Sequence, residues 1–171
     1  NTGGPSAGPI EMAEPSQFLK AFNMHIVCSQ IITQIVLPGM KKKQFGRIIN
    51  IISTSVKAPI SNLGVSNTIR GGMANWGKTL ANELGNYGIT VNNILPGFTK
   101  TDRLKSLFKN KSKKENISVE DVEKRAVQTI PAGRFGDVTD IAYAVLFLSS
   151  PKASYINGIN LPVDGGRTVS L

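Results

Sequence analysis

The sequence predicts an α/β chain: an open parallel sheet with helices on both faces. Three stretches carry that expectation. Ile48, Ile49, Asn50, Ile51 and Ile52 form an apolar run without polar alternation, as in an interior parallel strand covered on both faces. Behind it, Val65, Ile69, Met73, Trp76, Leu80 and Leu84 recur at spacings of three and four, so a long helix lays one stripe on the sheet. Ile89 to Leu95 is the next strand, broken by Pro96-Gly97.

Taken in order, residues 1–15 are rich in Gly and Pro and read as a loop. Helical periodicity starts near Ser16 with Phe18, Phe22 and Ile26. From Met24 to Leu37 it becomes apolar nearly all round, through Val27, Cys28, Ile31, Ile32, Ile35 and Val36. Such a helix needs a neighbour on two sides. Lys41 to Lys43 close it, where positive charge suits the helix dipole. The central helix turns Asn67, Arg70, Asn75, Lys78 and Asn82 away from its apolar stripe. Between Asp102 and Pro131 lies a polar, Lys-rich pair of helices, Leu104 to Lys109 and Ser118 to Ile130. Asp137 with Asp140 opens another helix, whose buried stripe is Ile141, Ala144, Val145 and Leu148. The last strand, Ile159 to Val163, holds Pro162, which cannot donate to a ladder and places the strand on an edge.

The net charge of +9 would suit a polyanionic partner, but seven of the twenty basic residues sit between Lys100 and Lys114. That is one local patch, and it argues for no nucleic acid. The one cysteine, Cys28, reads as a core residue in a reduced compartment and supports neither a disulfide nor a metal cluster. No apolar stretch reads as long enough to span a bilayer, so no membrane is expected.

In open parallel sheets the ligand crevice lies outside the carboxyl ends of the strands, which is where Ser53 falls. Ser66 and Arg70, four positions apart, project from the same side of the helix. The result is a hydroxyl pair beside a fixed positive charge.

Gly46 to Asn50 (GRIIN), Ser53, Lys78 to Leu84 (KTLANEL), Gly88 to Gly97 (GITVNNILPG), Gly133 to Gly136 (GRFG) and Gly158 to Gly166 (GINLPVDGG) together resemble the short-chain dehydrogenase/reductase family. Within it they are most similar to the 3-oxoacyl-acyl-carrier-protein reductases. The resemblance implies a Rossmann-like doubly wound sheet, of which residues 1–171 are about the carboxyl-terminal two thirds, the glycine-rich phosphate turn being expected ahead of Asn1. Asn1-Thr2-Gly3 resembles the family's NAG turn. The implied cofactor is NAD or NADP, with Asn1, Gly3, Arg70, Pro96, Gly97, Thr99 and Thr101 as its contacts. The substrate would be a small molecule or acyl thioester beneath a lid at 102–131. The apolar helix and the edge strand would join copies of the chain in a cytoplasmic homo-oligomer, a dimer or tetramer.

The resemblance fails at the catalytic residues. The family uses Asn, Ser, Tyr and Lys; the matching positions here hold His25, Ser53, Ser66 and Arg70. An aliphatic hydroxyl is far less acidic than a phenol, and Arg keeps its proton where Lys can relay one. Tyr87, Tyr143 and Tyr155 are too far along the chain to substitute. His25, the single histidine, is the expected general acid, with Ser53 and Ser66 on the carbonyl. Two functions of different class follow: an NAD(P)-dependent oxidoreductase acting on a ketone or alcohol, or a non-redox member of the fold that binds an anionic ligand or nucleotide.

Overall fold

The structure is a computed structural model, which describes residues 3–170. Three strands, β1 (Gly46–Ile51), β2 (Ile89–Pro96) and β3 (Asn160–Val163), form one parallel sheet in the order β1-β2-β3. The register sets Asn50 opposite Asn93 and Asn93 opposite Asn160. The helix Gly64–Leu84 covers one face and the helix Val138–Ser149 the other, so the doubly wound expectation holds for the described part.

The amino-terminal loop contains one short turn at Ile10–Met12 and leads into α1 (Pro15–Phe22). Glu14 and Gln17 close a capping box there, with the Glu14 N–H donating to Gln17 Oε1 at 2.9 Å. A π-turn at Asn23–Val27 then passes without interruption into α2 (Cys28–Lys43). Gln44, at φ 49°, ends the helix in the left-handed conformation. The 29-residue run Pro15–Lys43 is, by length and composition alone, long and apolar enough to cross a membrane. The sequence reading missed this because it did not carry the helix through as one element. Ala21, His25 and Thr33 are its buried positions, and α1 and the π-turn both pack on the long helix that follows β1. Its outer face exposes Ile31, Ile32, Ile35 and Val36. Cys28 is half-buried rather than in the core.

That long helix, α3 (Gly64–Leu84), follows the predicted stripe at Val65, Ile69, Met73 and Leu84. Its closest approach to the sheet is made by small residues, Ala74, Gly77 and Ala81, while Trp76 and Leu80 are only half-buried. A Cβ on Gly77 would sit 3.0 Å from Asn93 Oδ1, so the helix backbone lies almost on the strands. Trp76 instead donates its Nε1 hydrogen to Gln30 Oε1 at 2.9 Å, tying α3 to α2. On the opposite face, α6 (Val138–Ser149) packs Leu148, Ile141, Ala144 and Val145 against Ile94, Ile49 and Ile51. Asp137 and Asp140 form its predicted capping box.

Among the described residues β1 and β3 each pair with β2 alone, Arg47 to Ile51 are half-buried, and Pro162 lies on an edge strand as expected. Across the sheet runs a row of side-chain hydrogen bonds: Asn50 Nδ2 donates to Asn93 Oδ1 at 2.9 Å, and Asn93 Nδ2 to Asn160 Oδ1 at 2.8 Å. Asn92, facing the other way, donates to the Ile156 carbonyl at 2.8 Å and accepts from the Ile159 N–H at 3.2 Å. Buried amides survive because they are paired.

The segment expected to act as a lid holds α4 (Asp102–Glu115), eight residues longer than Leu104–Lys109, and α5 (Val119–Gln128), three residues shorter than Ser118–Ile130. Phe98, Phe108 and Phe135 stack with centroids 5.5 to 6.2 Å apart. The Lys100 N–H donates to the Gly136 carbonyl and the Gly136 N–H to the Phe98 carbonyl, both at 2.9 Å, so the two ends of the lid are stapled together.

Candidate active site

β1 delivers Ser53 to the carboxyl end of the sheet, where it caps the short turn Thr54–Val56. Its Oγ accepts the Ser55 N–H at 3.0 Å, which leaves the hydroxyl proton to donate elsewhere. The chain returns through a loop pinned by Asn67, whose Nδ2 donates to the Ile60 carbonyl at 2.9 Å. This fixes the start of α3, and with it Ser66 and Arg70 on successive turns, both half-buried. α3 packs on the turn that Ser53 caps. Among the described residues, no hydrogen bond links Ser53, Ser66 and Arg70 to one another.

The amino-terminal loop straps the same helix end. The Gly8 N–H donates to the Asn62 carbonyl at 2.7 Å and the Gly64 N–H to the Gly8 carbonyl at 3.1 Å. Ile10 rests so close that a Cβ on Gly64 would lie 2.6 Å from its Cα. Glycine is required there because the two backbones touch.

His25 lies on the π-turn and is buried at 6% exposure. π-turns inside helices occur often at functional positions, and this one packs against α3. Burial, and then the positive charge of Arg70, hold the imidazole below its usual pKa. Burial, and then the neighbouring charge of Arg103, lower Arg70 in turn. Three cationic or potentially cationic groups from the π-turn, α3 and α4 thus influence one another. His25 and Arg70 were legible from the sequence; Arg103 was not. It stands two residues after Thr101, and the only available signal was a second Arg in the segment following Pro96-Gly97.

The cofactor positions are less uniform. Asn1 lies outside the described residues. Gly3 is exposed, with open space where a Cβ would project. Pro96 pairs with Val163, and the Gly97 N–H donates to the Val163 carbonyl at 3.0 Å. A Cβ on Gly97 would lie 2.7 Å from Asp164 Cα, so packing alone demands this glycine. Thr99 Oγ1 donates to the Gly97 carbonyl at 3.3 Å. Thr101 caps α4, accepting from the Leu104 N–H at 3.3 Å. Both threonines therefore have local duties that need no ligand. The nicotinamide end of a dinucleotide is nevertheless compatible with what is present: open space at Gly3, and a half-buried Arg70 for which the described residues supply no carboxylate within 4 Å. They also contain no group of three His, Cys, Asp or Glu residues able to hold a metal.

Three comparisons place this geometry. The chain is 40% identical over 136 residues to the 3-oxoacyl-[acyl-carrier-protein] reductase FabG of Vibrio harveyi, a match covering 78% of this chain and 50% of that protein. The crystal structure of YwfH, described as an NADPH-dependent reductase involved in bacilysin biosynthesis, superposes with a TM-score of 0.93 at 29% identity, covering 100% of this chain and 66% of that one. The 3-ketoacyl-(acyl-carrier-protein) reductase of Brucella melitensis, solved with NADH, superposes at 0.81 with 28% identity, over 97% of this chain and 64% of that one. The chain spans about half the length of the curated relatives it matches. The family model described as enoyl-(acyl carrier protein) reductase matches residues 1–168, and the chain accordingly belongs to the short-chain dehydrogenase/reductase family.

Proposed function

We propose that the protein containing this chain is an NAD(P)-dependent reductase of a carbonyl compound, working with an altered proton donor. Bound NAD(P)H supplies the hydride; this chain orients the carbonyl and handles the proton. The Ser53 hydroxyl, its oxygen already held by the Ser55 N–H, donates to the carbonyl oxygen, and Ser66 provides a second donor one helical turn from Arg70. The Arg70 guanidinium offers five fixed donors, enough to hold the nicotinamide ribose with one edge and still face the substrate with another. Pro96, Gly97, Thr99 and Thr101 form the rest of that wall, and residues 102–131 cover it.

The observation that carries this reading is the packing of the π-turn that holds buried His25 against α3, the helix that carries Ser66 and Arg70. A neutral imidazole takes a proton at one nitrogen and releases one at the other, and the fixed cation beside it keeps the doubly protonated ring short-lived. It is a weak standing acid at neutral pH, because burial and Arg70 both disfavour its charged form. His25 therefore relays a proton from solvent to the alkoxide as it forms. The similarity to FabG supports a 3-oxoacyl thioester as the substrate class, and the relatives' cofactors support NADP or NAD. The exposed apolar face of α2 and the edge strand β3 support assembly into a dimer or tetramer. The half-buried free Cys28 suits a reducing, cytoplasmic compartment.

The test is NAD(P)H consumption by the intact protein with a panel of ketones and acyl thioesters. Turnover that falls at least tenfold in His25→Gln, and falls again in Ser53→Ala, supports the assignment. Absence of any hydride transfer across the panel removes it, and unchanged turnover in His25→Gln removes the relay.

A further inference from the structure

Two arms of chain carry the segment 102–131, an outgoing one through Phe98 and a returning one that starts at Thr129. One side chain from outside the segment touches both. Arg167 stands four residues past Val163, the end of β3, and is half-buried. Its guanidinium carbon lies 4.4 Å from the centre of the Phe98 ring, and its Nε donates to Thr129 Oγ1 at 3.2 Å. The Thr129 oxygen is open to that bond because its own proton goes to the Ala126 carbonyl at 2.7 Å. Phe98 in turn stacks on Phe108 of α4 and on Phe135, so the cation rests on the ring that joins α4 to both arms.

The tail that bears Arg167 is itself held in place. Asp164, next after β3, accepts the Gly166 N–H at 3.0 Å on one oxygen and the Thr168 N–H at 2.8 Å on the other, so the chain turns around its carboxylate. Gly165 and Gly166 take φ of 67° and 84°, and the turn they allow brings the Gly165 carbonyl to the Ala132 N–H at 3.0 Å. Further on, Ser170 Oγ comes within 3.5 Å of the carbonyl of Lys57, which ends the turn that Ser53 caps. Residues 164–170 thus run from the root of the segment to the Ser53 turn. A planar guanidinium holds one arm by its face and the other by its edge at once, which a point charge does not. Among the described residues no carboxylate lies within 4 Å of Arg167 to compete for it.

We propose that Arg167 is a positioning residue of the reductase: it fastens both arms of residues 102–131 to the end of β3, so that α4 and α5 are in place before the acyl thioester arrives. This rests on the reductase reading for what is bound, and adds the side chain that sets where the cover stands. Arg167 acts through Phe98 and Thr129, not on the substrate. A cover borne on two arms swings freely only when both are released. Without Arg167 the substrate must order the segment as it binds, which weakens binding and leaves the chemical step as it was.

Limited trypsin digestion of the intact protein, followed by mass spectrometry, reads the segment without any turnover. Cleavage after Lys109, Lys111, Lys113 and Lys114 of α4 is the reporter, and cleavage after Lys41 to Lys43 of α2 is the reference. In Arg167→Gln the α4 sites are expected to be cut roughly threefold faster or more, and the α2 sites at the parent's rate. Arg167→Lys, which keeps a charge for the Phe98 ring and loses the fork, falls between. Thr129→Val, which removes the hydrogen bond alone, gives a smaller rise than Arg167→Gln. In steady-state assays with acetoacetyl-coenzyme A, the KM of Arg167→Gln rises roughly threefold or more while kcat stays within about twofold. Unchanged cleavage of α4 overturns the proposal. So does an equal rise at both sets of lysines, which marks a general loss of stability, or faster cleavage of α4 with KM unmoved. Faster cleavage confined to α4, in a protein that reduces no carbonyl compound, sustains the fastening and removes the reductase reading.

Discussion

Asn93→Ala tests how the sheet carries the site. The side chain is 1% exposed and is the middle member of the row that crosses all three strands. Truncation removes the acceptor of Asn50 Nδ2 and the donor to Asn160 Oδ1 together. A buried group left without its partner costs about 1–3 kcal/mol. Asn50 and Asn160 are half-buried and recover part of that from water, so about 2–4 kcal/mol in total is expected. Urea denaturation of the intact protein followed by circular dichroism reads this directly. With a slope of about 1–3 kcal/mol per M, a loss near 3 kcal/mol lowers the midpoint by about 1–3 M at unchanged slope. Asn160→Ala, which breaks one bond of the row, should lose about half as much. A midpoint shift below about 0.3 M for Asn93→Ala would refute the reasoning, since the row would then be no better than the packing that replaces it.

Gly97→Ala drives a methyl into the Asp164 backbone and should cost about 1–3 kcal/mol, read as a lower thermal midpoint with no cofactor present; an unchanged midpoint would return this glycine to a purely ligand-binding role. Asp137→Ala removes the cap of α6 and should cost about 1 kcal/mol, visible in the same melt, while its exposed pair with Lys100 adds little. The His25 pKa is lowered from 6.5 in the folded protein, so below that value the unfolded chain binds a proton that the native state refuses. Stability therefore falls as pH drops from above 6.5 toward the lowered native value. His25→Asn should flatten that part of the stability profile, and a profile of equal slope in both proteins would contradict the burial of the neutral form.

The strands and helices were readable because their signals are large and repeated: the Ile run of β1, the stripe of α3, the carboxylates ahead of α6. The buried side of α3 was read too narrowly. Ala74, Gly77 and Ala81 make its closest contact with the sheet, and a search for large apolar residues passes over them. Asn50 and Asn93 looked like interruptions of apolar strands, whereas the register turns them into a continuous bonded row. The positions of Ser53 after β1 and of Ser66 and Arg70 on successive turns of α3 followed from strand end and helical spacing. The Arg103 guanidinium lies over Gly4 of the amino-terminal loop, a contact of long sequence separation that no local pattern announces. Thr101 shows the opposite case, a residue whose family role was expected and whose hydroxyl serves as a helix cap.

The π-turn at Asn23–Val27 sets the reading frame for side-chain direction along the run from Pro15 to Lys43. It accommodates one residue more than an α-helical turn, and each residue advances the helix by about 100°. Deleting any single position within it would restore regular winding and swing everything upstream around the axis, taking Ala21 and Phe18 off Val65 and Ile69. Substitutions can be absorbed there one at a time; a change in spacing cannot. The five residues from Asn23 to Val27 are therefore constrained in number before they are constrained in kind, and an insertion or loss among them would turn His25 relative to α3 without altering a residue of that helix.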